Sequence, residues 1–262
     1  AIAAGAEFDG SRAGIEALWE RMYSTMRVRG HTGGFMLDAI SGVDLALWDL
    51  AGKMCGKPVF QLLGSRRTEV PAYISGLPAR DRLATARGYV DRGFHTFKVY
   101  FESEREALFS TIDGLRAEFG DSIEIAVDAL WRLEPATAVE FGGALEERRV
   151  LWLECPLPPE DAEAHGRLAR EIRTPIALGE SYRTCHELAP FFRERAMRYV
   201  QHDLARCGIT EGLRIARMAA EFGVGVAPHV SISLGPQVAA AIQFAAAVPN
   251  CDLLEYNPAV LE

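Results

Sequence analysis

The sequence predicts an α/β fold in which eight short strands alternate with helices, and the arrangement favours a barrel of parallel strands. Eight apolar runs of strand length occur between residues 70 and 256, and amphipathic helical patterns separate them. Strands that alternate with helices in this way are typical of parallel βαβ units. Eight units in so short a stretch favour a barrel over an open doubly wound sheet, which is the structural alternative. No glycine-rich dinucleotide-binding motif follows the first strand, which counts against the open sheet.

Two helices are predicted before the first strand. The first covers residues 11–27, where apolar residues recur at three-to-four spacing, and the second covers residues 35–54. On the second helix we expect one buried face made of Met36, Ile40, Val43, Leu47, Leu50 and Ala51. The helix ends at Gly56-Lys57-Pro58, which is a stop signal, and residues 63–67 are interpreted as a connector.

The barrel elements follow in a regular order. The predicted strands are Val70–Ser75, His95–Phe101, Ile123–Asp128, Val150–Glu154, Pro175–Glu180, Arg198–Asp203, Gly223–His229 and Cys251–Tyr256. Seven helices are predicted between them, among them Glu104–Phe119, Ala136–Arg148, Thr210–Phe222 and Gly235–Ala247.

Composition narrows the class of protein. The chain has 262 residues, 49% of them hydrophobic and 24% charged, which is ordinary globular usage. A net charge of −8 argues against nucleic acid or an anionic membrane as a partner. Five cysteines without a CxxC pair are expected to be reduced thiols, so we predict a cytoplasmic protein. We expect no membrane-spanning helix, and Ala1–Gly10 lacks the pattern of a signal peptide.

Chemically active side chains recur where the predicted strands end. They are Tyr100, Asp128, Glu154, Glu180, Asp203, His229 and Glu255, separated by 23 to 28 residues, about one βα unit each. The C-terminal ends of barrel strands form one face, and enzymes with this fold keep their chemistry there. We therefore expect these side chains to converge.

Three neighbouring carboxylates predict a metal site. Asp128, Glu154 and Glu180 each follow an apolar run, and carboxylates brought together would repel one another without a cation. A ligand set made only of oxygens suits Mg²⁺. The alternative is that each acid caps a helix or lies at the surface.

The remaining residues predict acid–base chemistry. Asp203 ends the strand before His229, so a hydrogen bond between them would fix the imidazole tautomer and raise its basicity. Lys98 and Tyr100 lie two residues apart on one strand and point to the same side. A loop histidine and a surface lysine are the alternatives. The five other histidines, which lack a matching acid, are interpreted as structural.

The ordered motifs resemble the enolase superfamily, in particular the mandelate racemase/muconate lactonizing enzyme group and its mandelate racemase subgroup. The resemblance rests on Lys98-Val-Tyr100, Val-Asp128, Trp-Leu-Glu154-Cys-Pro156, Gly-Glu180, Asp203-x4-Gly208-Ile-Thr210, Pro-His229 and Leu-Leu-Glu255, together with the helix around Ala39–Asp49. It implies a modified TIM barrel, (β/α)₇β, with part of an α+β capping domain. The implied divisions are residues 1–66 for the helical part of the cap, 67–256 for the barrel and 257–262 for the start of a C-terminal return to the cap.

The resemblance also implies roles for the residues. Asp128, Glu154 and Glu180 would be Mg²⁺ ligands, Asp203 and His229 a catalytic pair, and Glu255 a hydrogen-bond partner of an enediolate. Lys98 corresponds to the first lysine of the family's Lys-x-Lys pair, but Tyr100 stands in place of the second. We expect Lys98 and a nearby metal to favour the phenolate form of Tyr100. Leu130 and Cys155 also depart from the family pattern, and both leave the substrate open.

The activity implied is a Mg²⁺-dependent dehydratase acting on a sugar acid, an aldonate or aldarate, that is, a carbon–oxygen hydro-lyase. Tyr100 or His229 would remove the proton α to the carboxylate, and His229 would protonate the departing 3-hydroxyl to give a 2-keto-3-deoxy acid. The alternatives are a racemase or epimerase of a 2-hydroxy acid, a cycloisomerase, an aldolase with Lys98 as a Schiff base, or an inactive metal-binding remnant. A small carboxylate is the expected partner, and a homo-oligomer is expected from the family.

Overall fold

A computed structural model describes residues 5, 7–65, 67–78, 80–230 and 235–258 of the chain. The chain divides into two compact units. The first unit comprises residues 1–70, 179–189 and 201–254, and the second comprises residues 71–178, 190–200 and 255–262. The predicted boundaries after residues 66 and 256 stay predictions. Most of the predicted C-terminal segment, residues 259–262, and most of the N-terminal stretch 1–10 that lacks a signal pattern, residues 1–4 and 6, lie outside the described residues.

The helices follow the predicted order closely. Those of the described residues are α1 (Arg12–Arg27), α2 (Phe35–Cys55), α3 (Val59–Leu62), α4 (Arg82–Asp91), α5 (Arg105–Phe119), α6 (Pro135–Glu147), α7 (Ala162–Glu171), α8 (Cys185–Arg193), α9 (Leu204–Glu221) and α10 (Gly235–Ala247). None of them, within the ranges described, combines the length and the apolarity that a crossing of a bilayer requires.

All eight predicted strands are present but shorter. They are β1 (Ala72–Ser75), β2 (Thr96–Tyr100), β3 (Glu124–Asp128), β4 (Leu153–Glu154), β5 (Ile176–Leu178), β6 (Tyr199–Val200), β7 (Gly225–Val226) and β8 (Leu254–Tyr256). In the second unit β1 to β6 pair in sequence order, each parallel to the next, and β8 lies beside β1. Tyr100 lies opposite Asp128, and Asp128 opposite Glu154, so three predicted site residues share one register.

In the first unit, helix α2 buries a different face from the one predicted. Val43 and Leu50 are 38% and 44% exposed, whereas Ser41 and Asp44 are buried. Ile40 does pack as expected, in a core cluster with Leu37 of the same helix and Trp19, Met22 and Tyr23 of α1, and Ala51 is buried as expected. Apolar periodicity alone misplaced the face because the buried polar residues of α2 have hydrogen-bond partners on α9, which removes the usual cost of burying them.

Helix α9 also begins earlier than predicted, at Leu204 rather than Thr210. Its first turn is capped by Asp203, whose carboxylate accepts a hydrogen bond from the Ala205 amide at 2.7 Å. The helix is broken at Gly208, where φ is 73° and ψ is 177°. A left-handed φ of this kind suits glycine, which is why the pattern from the sequence resumed only at Thr210.

Candidate active site

The predicted site residues fall into two groups, one in each compact unit. The lysine cluster, in the second unit, comprises Lys98, Tyr100, Asp128, Glu154 and Glu255. The histidine group, in the first unit, comprises Glu180, Asp203 and His229. Within the histidine group, the contact of Asp203 with His229 was predicted from the sequence, and the contact of Glu180 with His229 was not.

The lysine cluster is built around a buried ammonium. Lys98 is 1% exposed, and its Nζ lies 2.5 Å from Glu154 Oε1, 2.9 Å from Glu255 Oε1 and 3.7 Å from Asp128 Oδ2. Lys98 and Tyr100 lie two residues apart on strand β2, so their side chains point to the same side of the strand. The Lys98 Nζ lies 5.6 Å from the centre of the Tyr100 ring. The alternative of a surface lysine does not fit this environment.

The neighbouring negative charges affect the pKa of Lys98 more than burial does. Burial lowers the pKa of its ammonium, but Glu154, Glu255 and Asp128 together outweigh that effect, and the net pKa lies well above the usual 10.5. The amine is therefore protonated at neutral pH, which disfavours the Schiff-base alternative because an amine must lose its proton to attack a carbonyl. A buried, permanently charged donor is suited to stabilising negative charge on a substrate.

The phenolate expected for Tyr100 depends on a nearby metal as well as on Lys98, and it stays a prediction. Burial raises the pKa of its hydroxyl, and although Lys98 and a hydrogen bond with Ser75 lower it, the net pKa is raised above 10. The Tyr100 and Ser75 oxygens lie 2.8 Å apart. Among the effects of the chain's own residues, burial is therefore larger than the charge of Lys98.

The donors present fit a divalent cation in chemical type. Asp128 and Glu154 are buried on adjacent strands, and the two carboxylates with Lys98 and Glu255 sum to a charge of −2 when all are ionised. Oxygen donors with excess negative charge suit Mg²⁺. Among the residues the structure describes, no three acidic, histidine or cysteine side chains are already gathered for coordination. Asp128, Glu154 and Glu180 as a ligand set stay a prediction.

The histidine group places an imidazole between two carboxylates. His229 Nδ1 lies 3.0 Å from Asp203 Oδ2, and Nε2 lies 3.1 Å from Glu180 Oε2. Both contacts are hydrogen bonds only when both ring nitrogens carry protons. The predicted pairing of Asp203 and His229 is present, and the backbones of the two residues also form a parallel bridge. The group can hold a proton at His229 and release it.

Sequence reasoning missed several partners of these residues. Trp152 donates its indole N–H to Glu154 Oε2 at 3.0 Å, and Ser75 meets the Tyr100 hydroxyl. The contact between Glu180 and His229 was also missed, because Glu180 was considered only as a metal ligand. The Trp-x-Glu spacing within one strand could have suggested the first, since residues two apart share a face.

The burial of His202, which is next to Asp203, should make the stability of the protein depend on pH. It is fully buried against the Phe244 ring, and neither ring nitrogen has a hydrogen-bond partner among the described residues. Burial lowers the pKa of His202 from 6.5 to about 4. Between these values the unfolded chain binds the proton and the folded chain does not, so stability falls as the pH falls. The loss from pH 6.5 to 4 should reach about 3 kcal/mol.

A His202→Leu variant should lack this acid-dependent loss. Urea unfolding from pH 4.5 to 7 is the measurement, with His31→Asn, which changes an exposed histidine, as the control. At pH 7 we expect the leucine variant to be about as stable as the wild type, because the two nitrogens it removes are buried without partners. An unchanged pH dependence in His202→Leu would contradict the assignment.

Two family profiles match the chain. Residues 81–261 match the family described as enolase C-terminal domain-like, and residues 11–64 match the mandelate racemase/muconate lactonizing enzyme N-terminal domain.

Characterised relatives include enzymes of sugar-acid metabolism. The chain is 34% identical to a D-galactonate dehydratase of Ralstonia nicotianae, with 87% of this chain and 62% of that protein covered. It is 35% identical to an arabinonate dehydratase of Saccharolobus solfataricus, covering 83% and 60%. A D-galactarolactone cycloisomerase of Agrobacterium fabrum is 32% identical, covering 93% and 66%. The chain thus spans about three-fifths to two-thirds of the length of these relatives.

Solved structures agree in fold. A member of the enolase superfamily from Agrobacterium tumefaciens has a TM-score of 0.90 at 33% identity, covering 94% of this chain and 64% of that one. An enolase from Bradyrhizobium, complexed with magnesium and mandelic acid, has a TM-score of 0.84 at 29% identity, covering 92% and 66%. These matches confirm the predicted fold class, an α/β modified TIM barrel with part of a capping domain.

Proposed function

Because the chain belongs to the mandelate racemase/muconate lactonizing enzyme family of the enolase superfamily, we propose that it acts as a sugar-acid dehydratase, a carbon–oxygen hydro-lyase. The substrate is an aldonate or aldarate and the product a 2-keto-3-deoxy acid. Its dehydratase relatives at 34% and 35% identity support this choice. The whole activity is a proposal, since the chain spans only part of each relative's length.

The observation that favours dehydration over racemisation is the state of Tyr100. A racemase needs an efficient base on each face of the α carbon, and Tyr100 stands where the family has the second lysine. Its hydroxyl is engaged with Ser75 and its pKa is raised, first of all by burial. A phenol in this state is a weak base, so one efficient base, His229, remains.

In the proposed reaction the lysine cluster stabilises charge. Lys98 donates from its ammonium to the substrate carboxylate as the α proton leaves and the enediolate forms. Glu255, 2.9 Å from the Lys98 Nζ, keeps the ammonium oriented and is the proposed hydrogen-bond partner of the enediolate. The buried surroundings strengthen these interactions, because little water competes for them.

In the proposed reaction His229 transfers the proton. Its neutral imidazole removes the proton from the α carbon, and Asp203 stabilises the imidazolium that results. The imidazolium returns the proton to the 3-hydroxyl as the C3–O bond breaks and water departs. The enol that remains tautomerises to the 2-keto acid, so the reaction needs no oxidant or other co-reactant.

We propose Mg²⁺ as the cofactor, with Asp128, Glu154 and Glu180 as its ligands. When bound, the ion would supply Lewis acidity that lowers the pKa of the α proton. The related Bradyrhizobium structure contains magnesium, which supports the choice of metal.

The direct test is incubation of the full-length protein with a panel of aldonates and aldarates, followed by a colorimetric assay for 2-keto acids. We expect at least one sugar acid to give product with Mg²⁺, a loss of product on chelation by EDTA, and its return when Mg²⁺ is added back. A folded, Mg²⁺-loaded protein that forms no 2-keto acid from any member of the panel would contradict the proposal.

A cycloisomerase is the second candidate, because a D-galactarolactone cycloisomerase is 32% identical over 93% of this chain. The same panel should therefore include aldarolactones. Lactone opening without loss of water, observed by mass, would favour this candidate. Exchange of the α hydrogen for solvent deuterium with no loss of water from a hydroxy acid would instead indicate a racemase or epimerase.

A further inference from the structure

Helix α2 carries a buried polar stripe that the proposed function does not yet use. The stripe consists of Ser41, Asp44 and Trp48, spaced three and four residues apart and therefore on one face of the helix. None of the three is more than 1% exposed. Most polar groups this deeply buried make hydrogen bonds.

All three residues bond to the beginning of α9. Ser41 Oγ donates to the Leu204 carbonyl at 2.9 Å, and Trp48 Nε1 donates to Thr210 Oγ1 at 3.0 Å. Asp44 accepts from the Thr210 amide at 2.9 Å and from the Thr210 hydroxyl. The stripe therefore forms hydrogen bonds with α9 on both sides of its break at Gly208.

The break at Gly208 lies between the residues of α9 that Ser41 and Asp44 contact. Ser41 adds a side-chain donor at the Leu204 carbonyl before the break, and Asp44 accepts from the Thr210 amide after it. Glycine is required at the break, because a Cβ on residue 208 would lie 2.6 Å from Asp44 Oδ2. This explains the Gly208-Ile-Thr210 motif.

The first turn of α9 fixes the Asp203 carboxylate. Asp203 Oδ1 accepts from the Ala205 amide of that turn, and Asp203 Oδ2 faces His229 Nδ1. One carboxylate thus joins the turn to the imidazole. The position of the turn determines the position of Asp203, and the break at Gly208 separates the turn from the rest of α9.

We propose that Ser41 and Asp44 are positioning residues that hold the first turn of α9, and through it Asp203, in the geometry that His229 requires. The proposal rests on the proposed function, in which His229 transfers the proton. Helix α2 would then contribute indirectly to proton transfer, by positioning Asp203 beside His229.

The test compares Ser41→Ala with Thr174→Val in the full-length protein. Thr174 Oγ1 donates to the Gly142 carbonyl at 2.9 Å in the other compact unit, so both variants delete a buried hydroxyl that bonds to a backbone carbonyl. For Ser41→Ala we expect kcat to fall by about 10- to 100-fold, as for a displaced catalytic group, with KM nearly unchanged. For Thr174→Val, at a comparable loss of thermal stability, we expect kcat to remain within about threefold.

A spectroscopic readout separates this proposal from the proposed function. The proton on His229 Nδ1 should give a downfield NMR signal while Asp203 holds it, and Ser41→Ala should broaden or lose that signal whereas Thr174→Val keeps it. This result would support the positioning role even if no sugar acid reacted. A Ser41→Ala protein with the wild-type signal and wild-type kcat would overturn it. Should alanine prevent folding, Ser41→Cys, a weaker donor of similar size, should show an intermediate signal and kcat, and wild-type values for it would likewise overturn the role.

Discussion

Replacing Lys98 with methionine is expected to lower the free energy of unfolding by about 3–5 kcal/mol at neutral pH, because it leaves buried carboxylates without their cation. The ammonium contacts Glu154, Glu255 and Asp128, of which Glu154 is fully buried. Methionine keeps most of the volume of the side chain, so the loss reports charge more than packing. Turnover of the proposed substrate should fall by about 10³-fold, the effect of removing a preorganised donor to a developing oxyanion.

The sign of the pH dependence follows from the raised pKa of Lys98. A lysine whose folded pKa exceeds its ordinary 10.5 contributes stability at every pH below that value and loses it only as the pH rises through the folded pKa. In the wild type Lys98 therefore stays protonated across the neutral and acid range. In Lys98→Met the remaining carboxylates repel one another until some are protonated, so the stability gap to the wild type should narrow as the pH falls.

Urea unfolding at pH 5 and pH 8 measures both effects, and the chain offers a matched control. Lys53 pairs with Asp49 on an exposed helix face, where the two side chains are 73% and 64% exposed. Lys53→Met should therefore change stability by no more than about 0.5 kcal/mol and leave activity intact. Equal effects of the two lysine substitutions would show that the cluster around Lys98 contributes nothing specific.

The sequence was sufficient to predict the fold class and to single out residues of both groups, because the spacing of strands and helices along the chain indicates where each strand ends. Strands of period two put Lys98 and Tyr100 on one side, and the βα repeat put Asp128, Glu154 and Glu255 at corresponding positions. Side chains that share one position in every repeat of this kind meet at one face. The extended strand register, with Tyr100 opposite Asp128 and Asp128 opposite Glu154, follows from the same rule.

The sequence could not show which distant residues form hydrogen bonds with one another, or how far each titratable group is removed from water. The buried face of α2 depends on Thr210, more than 160 residues away along the chain, and no local period reveals that a polar Asp44 will be satisfied there. The protonation of Tyr100 depends on how completely its ring is buried, and this outweighed the visible charge of Lys98. The early start of α9 depends on Asp203 capping a turn that Gly208 then interrupts.

Asp203→Asn and Asp203→Ala should separate the two tasks of one carboxylate. Asparagine caps a helix about as well as aspartate, so Asp203→Asn should keep the cap on the Ala205 amide, while alanine loses it at a further cost of about 1 kcal/mol. Both variants remove the negative charge that faces His229 Nδ1. We therefore expect both to lose turnover to a similar extent, with only the alanine variant losing the additional stability.

The expected loss of turnover is about 10²- to 10⁴-fold, the range over which a positioned general acid–base contributes. His229→Asn should fall in the same range, and combining it with Asp203→Asn should add little, because the carboxylate acts through the imidazole. Rates of 2-keto acid formation with saturating Mg²⁺ measure the effect, and urea unfolding of each variant separates it from lost stability. Additive losses in the double variant would show that Asp203 has a role of its own in the reaction, and an unchanged rate in His229→Asn would show that His229 does not transfer the proton.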